Sequence, residues 1–149
     1  MVQKKFKQSN KPKLSNKGII TCQNDKLLPL FSFAHITRNS WYTFEYFKDS
    51  NAQLSCREEL DQLFLELSKT SWLDLSRRRK EQFGGFETIP FGQINFYPDN
   101  IELTKDTKIL SFRFGAGDKF RMLGYRIERC QAFYIIGYDF NHSAYLHGR

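Results

Sequence analysis

The sequence predicts an α+β fold in which a helical pair packs on a small antiparallel β-sheet. Three observations predict it: an aromatic, strand-like segment, a stretch with helical periodicity followed by a second helical segment, and a C-terminal region of extended segments separated by turns. Elements grouped in this order are typical of the α+β class. A chain of 149 residues, 40% hydrophobic and 16% aromatic, is long enough to bury one core.

The positive charge is concentrated at the N-terminus. Residues 1–17 contain six lysines and no acidic residue, whereas the rest of the chain carries 17 basic and 16 acidic side chains. Such a segment has too little apolar surface to order itself, so we expect a flexible, disordered basic tail at 1–17 and a single domain at 18–149. The lysines would bind nucleic acid by counterion release or only keep the chain in solution, and the sequence favours neither.

Two segments ahead of the helices are predicted to be extended. Residues 28–33 contain Pro29, which favours an edge strand or a strand start. Residues 41–47 are aromatic and β-branched, which is typical of a strand.

The helical pair is predicted from periodicity and capping. Ser55 and Glu58 have the spacing of a capping box, and the apolar residues that follow lie on one helical face. They are Cys56, Leu60, Leu63, Phe64 and Leu67. Thr70 and Ser71 are expected to cap a second helix over 72–80, whose last turn is basic.

An antiparallel meander is predicted for the C-terminal region. Strands are expected at 108–114, 119–127 and 132–139, with a hairpin loop at 115–118. A four-residue loop there places Arg121 opposite Phe112 and sends Arg113 and Arg121 to opposite faces. A five-residue loop starting at Phe114 places Arg121 opposite Ser111 and puts both arginines on one face, because a one-residue slip exchanges the faces.

The three cysteines are widely spaced without a CxxC motif, so neither a disulfide framework nor a zinc site is expected, and the hypothesis requires no metal and no cofactor. No apolar stretch is long enough to span a bilayer, and no signal sequence is recognised. We therefore expect a cytoplasmic protein without a membrane partner.

Arginines and aromatic residues alternate from residue 108 onward, and proton-transfer groups follow. Guanidinium groups bind phosphate, aromatic rings stack on bases, and histidine and tyrosine transfer protons. The candidate catalytic residues are Arg121, Arg113, Tyr145, His142 and His147. The candidate nucleic-acid-binding residues are Arg126, Lys119, Lys4, Lys5, Lys7, Lys11 and Lys13. A half-exposed sheet with surface histidines produces the same pattern.

The strand 108–113, a turn, and the return strand 120–125 resemble the RelE/ParE superfamily of bacterial toxins. The exit at 139–147 is similar to the ends of the YoeB and HigB branches. The chain departs from the family in its long N-terminal extension and in lacking a Lys/Arg pair after the last strand. A second similarity, over 122–148, is to small bacterial or phage proteins without a known mechanism.

The resemblance implies an mRNA interferase of a toxin–antitoxin system, that is, a metal-independent endoribonuclease acting on RNA, including ribosome-bound mRNA. It also implies a small antitoxin partner, with Arg121 at the phosphate-contacting position. The alternative is a non-catalytic nucleic-acid- or protein-binding module on the same scaffold, or an inhibitor of a host protein. The enzymatic hypothesis requires the meander arginines to converge on one open surface.

Overall fold

The computed structural model describes residues 25–48 and 50–146, which form a five-stranded mixed sheet with the order β1-β5-β4-β3-β2. The elements are β1 (Leu30–Ser32), α1 (Ala52–Leu67), α2 (Trp72–Arg77), β2 (Phe86–Pro90), β3 (Lys108–Phe114), β4 (Phe120–Arg126) and β5 (Ala132–Asp139). Strands β2 to β5 pair antiparallel, whereas β1 pairs parallel to β5. The tail expected at 1–17 lies outside the described residues.

The expected fold class is wrong. Within the described residues the sheet is the dominant element, α1 is the one helix of more than two turns, and α2 has only six residues. The sheet is also mixed and not antiparallel, because β1 joins β5 in parallel. The described fold is therefore mostly β, and not a helical pair on a small sheet.

The second helix is shorter than predicted because Arg78 leaves the helical conformation. Its ψ of 141° is extended, and its guanidinium donates to the carbonyl oxygen of Phe83 at 2.8 Å and pairs with Glu66 at 2.8 Å. Ser71 caps α2 as expected, since its Oγ accepts from the amide of Asp74.

The predicted apolar face of α1 is confirmed. Four of its five residues are buried on the sheet: Cys56, Leu60, Leu63 and Leu67. The capping box is wrong, however, because α1 begins at Ala52, three residues before Ser55. The hydroxyl of Ser50 instead accepts from the amide of Ala52 at 3.1 Å.

The strand predicted at 41–47 is also wrong. This segment consists of two 3₁₀ turns, Ser40–Tyr42 and Phe44–Phe47. Two polar side chains stabilise them: Asn39 accepts from the amide of Trp41, and Thr43 accepts from the amide of Glu45. Such local side-chain bonds compete with strand pairing. Among the aromatic residues of the segment only Tyr42 is buried, whereas Trp41 and Tyr46 are exposed.

Two hydrophobic clusters cover the two faces of the sheet. Helices α1 and α2 pack on the face that carries Phe112 and Phe133, which we call the helix face. The opposite face carries Ile109 and Leu123 and is covered by irregular chain that includes Tyr42, Phe91, Phe96 and Ala144. We call it the loop face. The loop face also carries Ser111, Arg113 and Arg121.

Candidate functional site

Arg113 and Arg121 lie directly opposite each other on the loop face. The register pairs Arg113 with Arg121 and Phe114 with Phe120, so the hairpin loop has five residues, 115–119. Both registers considered from the sequence are therefore wrong. Directly opposed residues of antiparallel strands share a face, so the two guanidinium groups lie on the same side.

Arg121 is buried, with 6% of its surface exposed, whereas Arg113 is half-buried. One Nη of Arg121 donates to the carbonyl oxygens of Asp118 and Phe120. The Nε atoms of both arginines are buried and have no hydrogen-bond partner among the described residues.

Tyr145 links β3 to β2 through its hydroxyl group. Its Oη lies 2.8 Å from Oγ of Ser111, which is fully buried, and donates to Oε1 of Glu87 at 2.8 Å. Nζ of Lys80 lies 3.6 Å from the other carboxylate oxygen of Glu87. Ser111, Tyr145, Glu87 and Lys80 thus form one polar chain that runs from the buried sheet to its edge. We call it the polar chain.

The turn after β5 places Tyr145 in this position. Asp139, which is buried and opposite Arg121 in the sheet, accepts from the amides of Ser143 at 3.0 Å and Ala144 at 3.2 Å. These bonds fold the chain back over the loop face. A carboxylate that satisfies several backbone donors in this way fixes a turn strongly.

Burial raises the pKa of Tyr145 to about 12. Desolvation is the largest cause, and the carboxylate of Glu87 adds to it, whereas the bond with Ser111 and the charge of Arg121 act in the opposite direction. At neutral pH the phenol is therefore protonated. It can donate a proton or a hydrogen bond, but it cannot act as a base.

Arg126 lies on the other side of the sheet. Its guanidinium stacks 4.1 Å from the ring centroid of Trp72, on the helix face. It also donates to the carbonyl oxygen of Cys130 and pairs with Asp25, both at 3.0 Å. The expected convergence of the three meander arginines on one open surface is therefore wrong. Only Arg113 and Arg121 share a face, and of these only Arg113 is partly exposed. Arg126 lies on the helix face, so a reaction centre on the loop face has to work without it.

The remaining candidates are dispersed. Lys119 is exposed in the hairpin loop, and His142 is exposed in the turn held by Asp139, with a φ of +57°. His147 and the candidate lysines Lys4, Lys5, Lys7, Lys11 and Lys13 lie outside the described residues.

Sequence reasoning missed Glu87, Lys80 and Ser111. Glu87 is opposite Ser111 in the pairing of β2 with β3, and 17 residues separate those two strands. The sequence of Phe86–Pro90 offers little signal, because its apolar residues Phe86 and Ile89 are three positions apart and do not alternate with polar ones.

Residues 25–48 and 50–146 contain no group of three or more His, Cys, Asp or Glu side chains that could hold a metal ion. Over the same residues, no helix has the length and apolar character needed to cross a membrane. No protein-family model, curated protein or solved structure matches the chain.

Proposed function

We propose that the chain is a toxin-like, metal-independent RNA endonuclease whose reaction centre is the polar chain with Arg113 and Arg121. The observation that carries the proposal is the contact of one carboxylate, Glu87, with both a protonated phenol and an ammonium group. Such a site has the two functions that RNA cleavage requires, since it can accept one proton and supply another.

The chemistry can be written for each group. Glu87 accepts the proton of a ribose 2′-hydroxyl, and the 2′-oxygen then forms a bond with phosphorus. The bond between phosphorus and the 5′-oxygen breaks, and Tyr145 donates its proton to that oxygen, leaving a 2′,3′-cyclic phosphate. Because Tyr145 and Glu87 are hydrogen-bonded at 2.8 Å, the proton taken up by Glu87 can return to the phenolate and restore the site.

The two arginines would have different roles. Arg113 is half-buried and can contact a phosphate oxygen, whereas Arg121 is too buried to do so without a rearrangement. Arg121 acts through its field on Tyr145, whose pKa its charge lowers, and on the developing phosphorane charge. Lys80 is at the edge of the sheet and can neutralise a second phosphate oxygen.

Substitution of Glu87 by glutamine tests the proposal. Glu87→Gln keeps an acceptor for Tyr145 but removes the base, so RNA cleavage in the presence of a chelator should fall by about 10²–10⁴-fold in a folded protein. Glu102→Gln, at an exposed position, is the matched control and should cleave like the wild type. Mass spectrometry should identify the cyclic phosphate product. Equal cleavage by Glu87→Gln and the wild type, or cleavage of an all-2′-deoxy strand, would contradict the mechanism.

An enzyme of this kind would act on cytoplasmic RNA, including ribosome-bound mRNA, and a small antitoxin protein would be its inhibitor. The resemblance of the meander to the toxin superfamily motivates both partners. Growth arrest on expression, relieved by Glu87→Gln, is the corresponding result in cells.

The second candidate is a non-catalytic module that binds nucleic acid or protein. The burial of Arg121, at 6% exposed, favours it, because a buried guanidinium cannot easily reach a substrate. RNA that is bound but never cut by the wild-type protein would support this alternative over the endonuclease.

A further inference from the structure

A groove of about 440 Å³ lies on the helix face, at the end of the sheet away from the 115–119 loop. Its lining consists of Phe86, Lys108, Leu110, Arg126, Glu128 and Arg129. The volume is in the range typical of small-ligand sites. None of these residues belongs to the polar chain.

The groove combines an apolar floor with a cationic rim. Leu110 and the half-buried ring of Phe86 form the floor, whereas three of the four charged lining residues are basic. Lys108 is exposed and makes no ion pair within the described part of the chain. An aromatic ring next to cations is the arrangement with which proteins bind single-stranded nucleic acid, because the ring stacks on a base and the cations bind phosphates.

A carboxylate of the chain itself already contacts two of these cations. Oδ1 of Asp25 lies 3.0 Å from Nη2 of Arg126, and Oδ2 lies 3.4 Å from Nε of Arg129. The position of Asp25 does not depend on its charge alone, since its carbonyl oxygen accepts from the amide of Leu73 at 2.8 Å. The two guanidinium groups are therefore arranged around one anion.

The groove also leads to the proposed reaction centre. Phe86 and Glu87 are consecutive residues of the edge strand β2, so one side chain is on the helix face and the next is on the loop face. Lys80, which follows α2, reaches Glu87 at 3.6 Å. An RNA chain that leaves the groove at Phe86 would reach Glu87 by passing around the edge strand β2 alone.

We propose that this groove is a phosphate-binding subsite for single-stranded RNA, and that the carboxylate of Asp25 occupies the phosphate position until RNA displaces it. The inference rests on the proposed function in that RNA is taken as the ligand. Asp25 is then an internal competitor that lowers the affinity of the free protein.

Two charge substitutions in the 149-residue chain test the inference. The probe is a fluorescein-labelled oligouridine with 2′-O-methyl riboses, which cannot be cleaved, and binding is measured by anisotropy at several salt concentrations. Asp25→Asn should tighten binding about two- to fivefold, because it removes a half-buried ion-pair competitor but keeps the side-chain shape. Arg129→Glu should weaken binding by about tenfold and reduce the salt dependence.

Matched controls separate a local effect from a change of net charge. Asp61→Asn and Lys69→Glu make the same kinds of charge change at exposed positions on and after α1, and both should leave the affinity within about twofold of the wild type. The basic tail is present in every variant, so its contribution cancels.

The outcomes distinguish this inference from the proposed function. If Asp25→Asn binds no tighter than Asp61→Asn, or if oligoglutamate binds the groove better than RNA, the subsite is refuted even when the wild type cleaves RNA. If the affinities change as expected but a dinucleotide and long RNA both stay uncut, the subsite stands and the endonuclease fails. Absence of any RNA binding refutes both.

Discussion

Removal of the Tyr145 hydroxyl should destabilise the protein through Ser111 more than through Glu87. Ser111 is fully buried, and its Oγ lies 2.8 Å from the phenolic oxygen, so Tyr145→Phe leaves a buried hydroxyl group without that partner. An unsatisfied buried group of this kind costs about 1–3 kcal/mol. Glu87 is less affected, because its side chain is 25% exposed and water can replace the phenol.

The expected loss is therefore about 2 kcal/mol in the free energy of unfolding, which corresponds to a decrease of roughly 4–8 °C in Tm for a domain of this size. Urea titration provides the measurement. The fluorescence of Trp72, which is 1% exposed, reports the loss of the core.

Ser111→Ala provides the decisive comparison. When both hydroxyl groups are removed, no buried donor or acceptor of the pair is left unsatisfied. The loss in free energy of unfolding of the double variant should therefore be smaller than the sum of the two single losses by about 1 kcal/mol. Additive losses would refute the reasoning, because they would show that Ser111 and Tyr145 do not depend on each other.

Two further predictions concern packing and pH. Gly124→Ala should lower the free energy of unfolding by about 1–3 kcal/mol in urea titration, because a Cβ there would lie 2.5 Å from both Cζ of Phe133 and the carbonyl oxygen of Tyr134. The surface change Gly92→Ala is the control and should lower it much less. Equal losses for the two variants would contradict the packing argument. Burial raises the pKa of Tyr145 to about 12, above the value of about 10 for an unfolded tyrosine, so its contribution to stability is complete below pH 10 and is lost as the pH rises through 12. Burial raises the pKa of Tyr125 to about 12 as well, so the ionisation of Tyr145 is measured as the difference in alkaline absorbance between the wild type and Tyr145→Phe. A tyrosine titration near pH 10 in that difference would contradict the prediction.

The strands of the C-terminal region could be predicted because their apolar residues alternate or run together between clear turns. The strands predicted at 108–114 and 132–139 are confirmed without a change of boundary, and the return strand predicted at 119–127 is shorter by one residue at each end. The strand predicted at 41–47 is wrong because aromatic composition alone does not require strand pairing, and the side chains of Asn39 and Thr43 bond the local backbone instead. The capping side chains Asn39 and Thr43 were the signal that distinguishes 3₁₀ turns there.

The site was less predictable because it depends on register. The loop at 115–119 contains three residues of positive φ, namely Gly115, Gly117 and Asp118. The two glycines predict a turn but not its length. A change of one residue in loop length changes which positions of the two strands are opposed. The side-chain chemistry of Tyr145, Arg113 and Arg121 is enough to identify them in the sequence as candidate catalytic residues. Glu87 was not identified, because its partner strand is determined only by the folded sheet.

The parallel pairing of β1 with β5 has a consequence for the order in which the chain folds during synthesis. The side chain of Gln131 bonds to the backbone of Leu28 across 103 residues, and Leu30 pairs with Ala132. The first strand of the sheet therefore has no neighbour until the last strand leaves the ribosome. Until then α1 lacks Phe133 and Ile135 beneath it, so its apolar face is covered only in part, by residues of β3 and β4 in the same cluster such as Phe112 and Met122. Contacts of such long sequence separation also fold slowly. We therefore expect a nascent chain that ends before Ala132 to be sensitive to proteases and to require chaperone protection.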